Sequence, residues 1–157
     1  MAAKIHHSAI CVRDFDTSLR FYRDGLGLAL LWEKEFEGDW PTLFGAPEPK
    51  LHSAFLGDPS APDAGIVELV EFVGGMGDGT PQGPQPQLGF FLLSFYVDVD
   101  ETLARLADLG LGGEPRRIEA HGVAMAVVTD PDGVEVELID DAAAADLQRL
   151  TSNQETA

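Results

Sequence analysis

The sequence lacks the features expected of a disulfide-stabilised, membrane-spanning or nucleic-acid-binding protein. Cys11 is its single cysteine, which excludes an internal disulfide framework and fits a reducing compartment. No run of about 18 apolar residues occurs, so we expect no transmembrane segment, and the N-terminus enters a predicted strand without a signal-peptide core. Lys and Arg number 10 against 27 Asp and Glu, and the net charge of −17 disfavours nucleic acid and anionic membranes as partners. We therefore expect a cytoplasmic protein with neither kind of partner.

What the sequence does contain is a repeat. Residues 5–27 and residues 90–112 each present an apolar strand, an aspartate, a helical run and a Leu-Gly pair. Each half also ends on a strand that carries a glutamate among apolar residues, Glu68 in the first half and Glu137 in the second. A repeat of this size predicts two copies of one small module in a single domain.

Hydrophobic periodicity and turn residues predict the same order of elements in both halves, namely a strand, a helix and three further strands. In the first half the strands are predicted at residues 5–12, 28–33, 51–56 and 65–72. In the second half they are predicted at residues 90–97, 116–119, 123–129 and 134–139. Asp14 or Asp16 is the predicted cap of the first helix. The second helix is predicted to bury Leu103, Leu106 and Leu109, and to begin at Asp98 or Asp100.

Residues 74–88 contain five glycines and three prolines and show no periodicity. They predict a linker between the modules, or a mobile flap. We place module one at about 4–73 and module two at about 89–141, so that a single domain covers residues 1–141. Residues 142–157 are predicted to form a C-terminal tail that frays.

Several stretches of this chain resemble the vicinal oxygen chelate superfamily, which includes glyoxalase I, methylmalonyl-CoA epimerase, extradiol dioxygenases and bleomycin-binding proteins. The stretches that carry the resemblance are residues 5–12, 18–22, 26–28, 67–69 and 129–139. The resemblance implies an α+β fold in which two βαβββ modules form a U-shaped mixed-sheet cleft.

The resemblance also implies a metal site, because ligands in metal-binding members come from the first and fourth strands of each module. His7, Glu68 and Glu137 match three of these positions, and strand alternation places all three on the predicted cleft faces. By the same alternation His6 should lie on the opposite face. The fourth position is Leu92, where glyoxalase-like members usually have a histidine. The implied cofactor is a divalent ion, namely Mn, Co, Ni, Mg or Fe(II).

Other side chains are candidates for supporting roles around this site. His121 and His52 are the candidates for a replacement ligand or base. Leu92, Ser94 and Tyr96 occupy every second position of one predicted strand, so all three should share a face and line a substrate pocket. The two hydroxyls can hydrogen-bond a substrate oxygen there.

These residues favour a glyoxalase-type enzyme, a lyase, isomerase or epimerase that acts beside the carbonyl group of a small substrate. The metal would be a Lewis acid that stabilises an enolate-like intermediate, and Glu137 would transfer a proton. Two alternatives stay open: a metal-free binding protein of the bleomycin-resistance type, and an Fe(II) dioxygenase with a rearranged ligand set. We expect a homodimer in each case.

Overall fold

A computed structural model of the chain describes residues 5–75, 77, 89–120 and 123–141. Most of the predicted linker, His121 and the predicted tail at 142–157 lie outside these residues. The chain divides into two compact units, Met1–Pro81 and Gln82–Ala157. No helix in the described part of the chain is long and apolar enough to cross a membrane.

Unit one has the order βαβββ, with one short helix inserted after its second strand. Its elements are β1 (His7–Cys11), α1 (Phe15–Leu19) with a π-helical continuation (Arg20–Gly25), β2 (Ala29–Glu37), α2 (Trp40–Phe44), β3 (Lys50–Gly57) and β4 (Ile66–Phe72). They form a mixed sheet of order β1-β4-β3-β2, in which β1 is parallel to β4 and the other pairs are antiparallel.

Unit two repeats this plan. Its elements are β5 (Leu92–Val97), α3 (Val99–Asp108), β6 (Gly112–Ala120), β7 (Val123–Thr129) and β8 (Glu135–Asp140). The sheet order is β5-β8-β7-β6, with β5 parallel to β8 and the other pairs antiparallel. The predicted α+β fold of two similar modules with mixed sheets is therefore confirmed.

Aspartates begin both long helical segments. Asp14 accepts a hydrogen bond of 3.1 Å from the Thr17 backbone N–H, and Asp98 accepts one of 2.8 Å from the Glu101 backbone N–H. The hydrogen bonds from Thr17 lower the pKa of Asp14 below its ordinary value of 3.8. Asp100 instead forms an ion pair with Arg117 of β6. The hydrogen bond from the Arg117 guanidinium lowers the pKa of Asp100.

The core of each unit lies between its sheet and its helical segment. In unit two, α3 packs against β6, β7 and β8, and it buries Val99, Thr102 and Leu106. The prediction for this helix was therefore right for Leu106 alone, because the Val99–Thr102–Leu106 stripe is the one that faces the sheet. Leu103 and Leu109 are only half-buried.

The other face of each sheet carries the more exposed side chains. Along β1, His7, Ala9 and Cys11 are exposed, and they alternate with half-buried Ser8 and buried Ile10. Along β5, Ser94 and Tyr96 are exposed, whereas the intervening residues are half-buried. We call these the open faces, and most of the predicted site residues lie on them.

Candidate functional site

His7 and Glu68 meet on the open face of unit one. The two strands run parallel, and Glu68 is paired with Ala9 in the register. His7 lies two residues, or one pleat, before Ala9 on β1, so its side chain is on the same face as that of Glu68. The Nε2 atom of His7 is 3.2 Å from the Oε2 atom of Glu68. The His7 side chain is 37% exposed and that of Glu68 only 16%, so a small molecule can reach the imidazole while the carboxylate is held between strands.

Ser53 holds the second oxygen of the same carboxylate. It lies on β3, is fully buried, and donates a hydrogen bond of 2.6 Å from its Oγ to the Oε1 of Glu68. A hydrogen bond to an ionised acceptor is stronger than one between neutral groups. Glu68 is therefore fixed in orientation, with one oxygen toward Ser53 and the other toward His7.

His6 belongs to the same cluster, so the prediction that it lies on the opposite face was wrong. β1 begins at His7, so the alternation of strand side chains does not extend to His6. The two rings are perpendicular with centroids 5.1 Å apart, and their Nδ1 atoms are 2.8 Å apart. One of these nitrogens must donate to the other, and this contact decides the tautomer of His7.

The two tautomers have different consequences for Glu68. If His6 donates, the Nε2 of His7 carries a hydrogen and donates to Glu68. If His7 donates, its Nε2 lone pair faces the carboxylate, and a bound cation would satisfy both groups. The donor pair therefore fits a metal ion in the second tautomer.

Aromatic rings lie beside the pair on the same face. Phe55 is opposite Glu68 in the register, and its ring centroid is 5.3 Å from that of His7. Trp32 of β2 stacks on Phe55 with centroids 4.6 Å apart and ring planes 20° apart. Sequence reasoning missed Phe55, although it lies two residues after Ser53 on β3 and therefore on the same face of the sheet.

Unit two carries a related arrangement around Glu137. Ser94 is its register partner on β5 and donates a hydrogen bond of 2.7 Å to the Oε2 of Glu137. Leu92 lies one pleat away on β5, so it has the position in unit two that His7 has in unit one. Tyr96 is on the same face and 47% exposed.

An ion pair that sequence reasoning missed lies beside Leu92. Glu135 is the register partner of Leu92, and its carboxylate is paired closely with the Arg116 guanidinium. The side chain of Glu135 is 12% exposed and that of Arg116 is 64% exposed. Glu135 and Glu137 are two residues apart on one face, so Arg116 offsets part of their mutual repulsion.

His52 is not brought together with His7 and Glu68. It stacks on Phe15 of α1 with centroids 3.7 Å apart, and its Nε2 is 2.9 Å from Glu33 Oε1. It therefore lies on the helix-facing side of the sheet. His121, the other candidate, lies outside the described residues. Among the side chains that the structure describes, no three of His, Cys, Asp or Glu are grouped as a metal site.

These features define a protein of two βαβββ units, each with a glutamate on its fourth strand that is hydrogen-bonded by a serine of the same sheet. The chain matches the model of the Glyoxalase/Bleomycin resistance protein/Dioxygenase superfamily over residues 4–138, and it belongs to that superfamily. The resemblance noted from the sequence is thereby confirmed.

Known relatives are similar over most of the chain. A lactoylglutathione lyase-like protein, terB, of Aspergillus terreus is 37% identical over 145 residues, which cover 86% of this chain and 74% of that protein. A probable lactoylglutathione lyase of Synechocystis is 30% identical over 139 residues, or 85% and 92% of the two chains. The trypanothione-dependent glyoxalase I of Leishmania major has the same fold, with a TM-score of 0.68, 24% identity and coverage of 99% and 100%.

Proposed function

We propose that this protein is a metal-dependent enzyme of the glyoxalase type, a lyase or isomerase that acts on a small carbonyl substrate. The observation that carries the proposal is the His7–Glu68 pair, with its 3.2 Å contact and its partly exposed imidazole on the open face of the sheet. The relatives named lactoylglutathione lyase or lactoylglutathione lyase-like support the same reaction class.

The proposed ligands are His7, Glu68 and Glu137. One imidazole and two carboxylates suit Mn, Co, Ni, Mg or Fe(II) better than a metal that prefers thiolates. When bound, such an ion supplies Lewis acidity that stabilises negative charge on a substrate oxygen. Ser53 and Ser94 orient the two carboxylates, since each donates to one oxygen of a glutamate.

Glu137 is also the proposed proton-transfer group. Its Oε2 accepts from Ser94, which leaves Oε1 as the oxygen that can take a proton from carbon and return it to the neighbouring atom. Lactoylglutathione is the thioester isomer of the hemithioacetal that glutathione forms with methylglyoxal. That hemithioacetal is therefore the first substrate to test.

Metal content tests the ligand set. Untagged wild-type protein is expected to contain about one divalent ion per chain by elemental mass spectrometry, and Glu68→Gln and Glu137→Gln are expected to lose it. Glu71→Gln is the matched control, because Glu71 lies on β4 but alternates to the opposite face from Glu68. An equal metal content in all four proteins would reject these ligands.

Turnover tests the reaction class. The metal-loaded protein should convert the glutathione–methylglyoxal hemithioacetal to its thioester, followed by ultraviolet absorbance, and Glu137→Gln should slow this conversion at least about 100-fold. A metal-loaded protein without turnover would reject this substrate and leave the ligand set standing. Oxygen uptake with the Fe(II) form would favour the dioxygenase instead.

One observation favours a second candidate, a metal-free binding protein of the bleomycin-resistance type. Leu92 occupies in unit two the position that His7 occupies in unit one, and a leucine cannot bind a metal. Protein that takes up no metal after incubation with Mn, Co, Ni or Fe(II) would support this candidate. We propose a homodimer for either function, and sedimentation equilibrium tests it.

A further inference from the structure

Unit one carries a groove of about 430 Å³ at the end of its open face. It is lined by Cys11, Phe44, Gly45, Ala46, Pro47 and Phe72, together with two further glycines. None of these residues is charged, although the chain contains 27 Asp and Glu. The volume is typical of small-molecule sites, and the uncharged lining suits a neutral apolar group rather than a cation.

The groove is on the same sheet face as the His7–Glu68 pair. Cys11 lies two pleats along β1 from His7, and Phe72 lies two pleats along β4 from Glu68. At the usual rise of a strand, four residues span about 13 Å. One extended molecule can therefore place a reactive group at the pair and an apolar group in the groove.

An aromatic cluster forms one wall. Phe44 stacks on Trp40 with centroids 5.7 Å apart, and meets Phe72 edge-on with centroids 6.3 Å apart. The helix that carries Phe44 is capped by Asp39 and ends at Gly45, whose φ of 69° is left-handed. Phe44 nevertheless stays 60% exposed, so apolar surface is available for a ligand to cover.

We propose that this groove is a subsite for an uncharged aryl or alkyl group, so that the preferred carbonyl substrates carry an extended apolar substituent. The proposal deepens the proposed function and rests on it for the reactive end of the substrate. Contacts in the groove need no metal, so its occupancy is measurable without turnover.

Two neutral α-hydroxyketones serve as probes: hydroxyacetone, and an analogue in which a six-carbon chain ending in phenyl replaces the methyl group. Cys11 is the single cysteine and lines the groove, so its alkylation by iodoacetamide, read by peptide mass spectrometry, reports occupancy. The phenyl analogue is expected to slow alkylation at concentrations at which hydroxyacetone has no effect. Equal protection by both probes, or by neither, would overturn the proposal.

A matched pair of variants locates the binding surface. Phe44→Ala removes the aromatic wall, whereas Leu43→Ala removes a neighbouring side chain of similar exposure, at 65%, that does not line the groove. Phe44→Ala is expected to weaken binding of the phenyl analogue about tenfold, and Leu43→Ala to leave it unchanged. Trp40 fluorescence in a Trp32→Phe background gives the affinity. Equal affinities for the two variants would contradict the subsite, and if Phe44→Ala fails to fold, Cys11 protection in the wild type still decides.

Failure of the subsite and failure of the proposed function are distinguishable. The same titration is repeated in EDTA with Glu68→Gln, which removes a proposed metal ligand but leaves the groove intact. Binding that persists there would support the groove independently of metal. If the wild type also takes up no metal, the groove stands and the metal-dependent enzyme is rejected. A metal-loaded, active protein without protection of Cys11 would reject the groove alone.

Discussion

At the scale of single residues, Ser53 orients the carboxylate of Glu68, which we propose as a metal ligand. Its hydrogen bond to Glu68 is 2.6 Å long and fully buried at the serine. Removing a hydrogen-bond partner of a metal ligand typically weakens metal affinity by about 10–100-fold. We predict that Ser53→Ala weakens Mn²⁺ binding about tenfold, measured by calorimetric titration. Ser8→Ala, on the opposite face of β1, is the control, and equal affinities for the two variants would contradict the role of Ser53.

Much of the candidate site could be predicted from individual residues, but the contacts between residues could not. Alternation along a strand places His7, Glu68 and Glu137 on the open faces, since each lies inside a regular strand. It failed for His6, which precedes its strand. The ion pair of Arg116 with Glu135 was not predictable, because it depends on the register between strands that are separate in sequence.

At the scale of elements, Asp14 controls the start of the first helical segment. Its pKa is lowered by hydrogen bonds from Thr17, so its contribution to stability is present above the unfolded value of 3.8 and is lost as pH falls through the lower folded value. We predict that Asp14→Ala lowers the Tm at neutral pH, and that the difference from wild type closes in acid. Asp14→Asn keeps an acceptor oxygen without a titrating group, and its deficit should vary less with pH. A deficit of Asp14→Ala that is constant down to about pH 2 would contradict this account.

Helix α3 buries one stripe of side chains, Val99, Thr102 and Leu106, against its sheet. Leu106 is 1% exposed beneath the helix, whereas Leu103 is half-buried. Leu106→Ala should lower the free energy of unfolding by about 3 kcal/mol, because it leaves a cavity that the neighbouring side chains only partly fill. Leu103→Ala should lower it by clearly less. Urea denaturation measures both, and equal losses would show that the helix packs differently.

The order of elements could be predicted because each strand and helix has its own periodicity, but element ends could not always be placed. β2 was predicted to end at Glu33 and continues to Glu37. The glycines and prolines between Gly38 and Pro49 favoured a loop from residue 34. Residues 33–37 nevertheless alternate as in a strand, with Lys34 and Phe36 on one face and the glutamates on the other. Pairing with β3 supplies the backbone hydrogen bonds that keep such a charged segment extended.

At the scale of the whole molecule, repulsion among the charges that give a net charge of −17 destabilises the folded state. Like charges repel more strongly in a compact state than in an extended one, and salt screens this repulsion. We predict that the Tm at neutral pH rises when NaCl is raised from about 10 mM to about 200 mM, as measured by scanning calorimetry. Near pH 4, where about half of the carboxylates are protonated, the rise should be smaller. An unchanged or falling Tm at neutral pH would contradict a repulsive surface.

The two units differ in one side chain beside the fourth-strand glutamate, which is His7 in unit one and Leu92 in unit two. Each has a first strand parallel to its fourth, and each has a serine donating to the fourth-strand glutamate, but only unit one has a histidine one pleat away. Leu92→His would give unit two the same donor set, so we predict that it tightens Co²⁺ binding at least about tenfold, read from the visible spectrum. Leu92→Asn, which is polar but a weaker ligand, is the control. If Leu92→His folds normally and binds Co²⁺ no better than Leu92→Asn, then Glu137 is not a metal ligand, and the equivalence of the two units is one of fold alone.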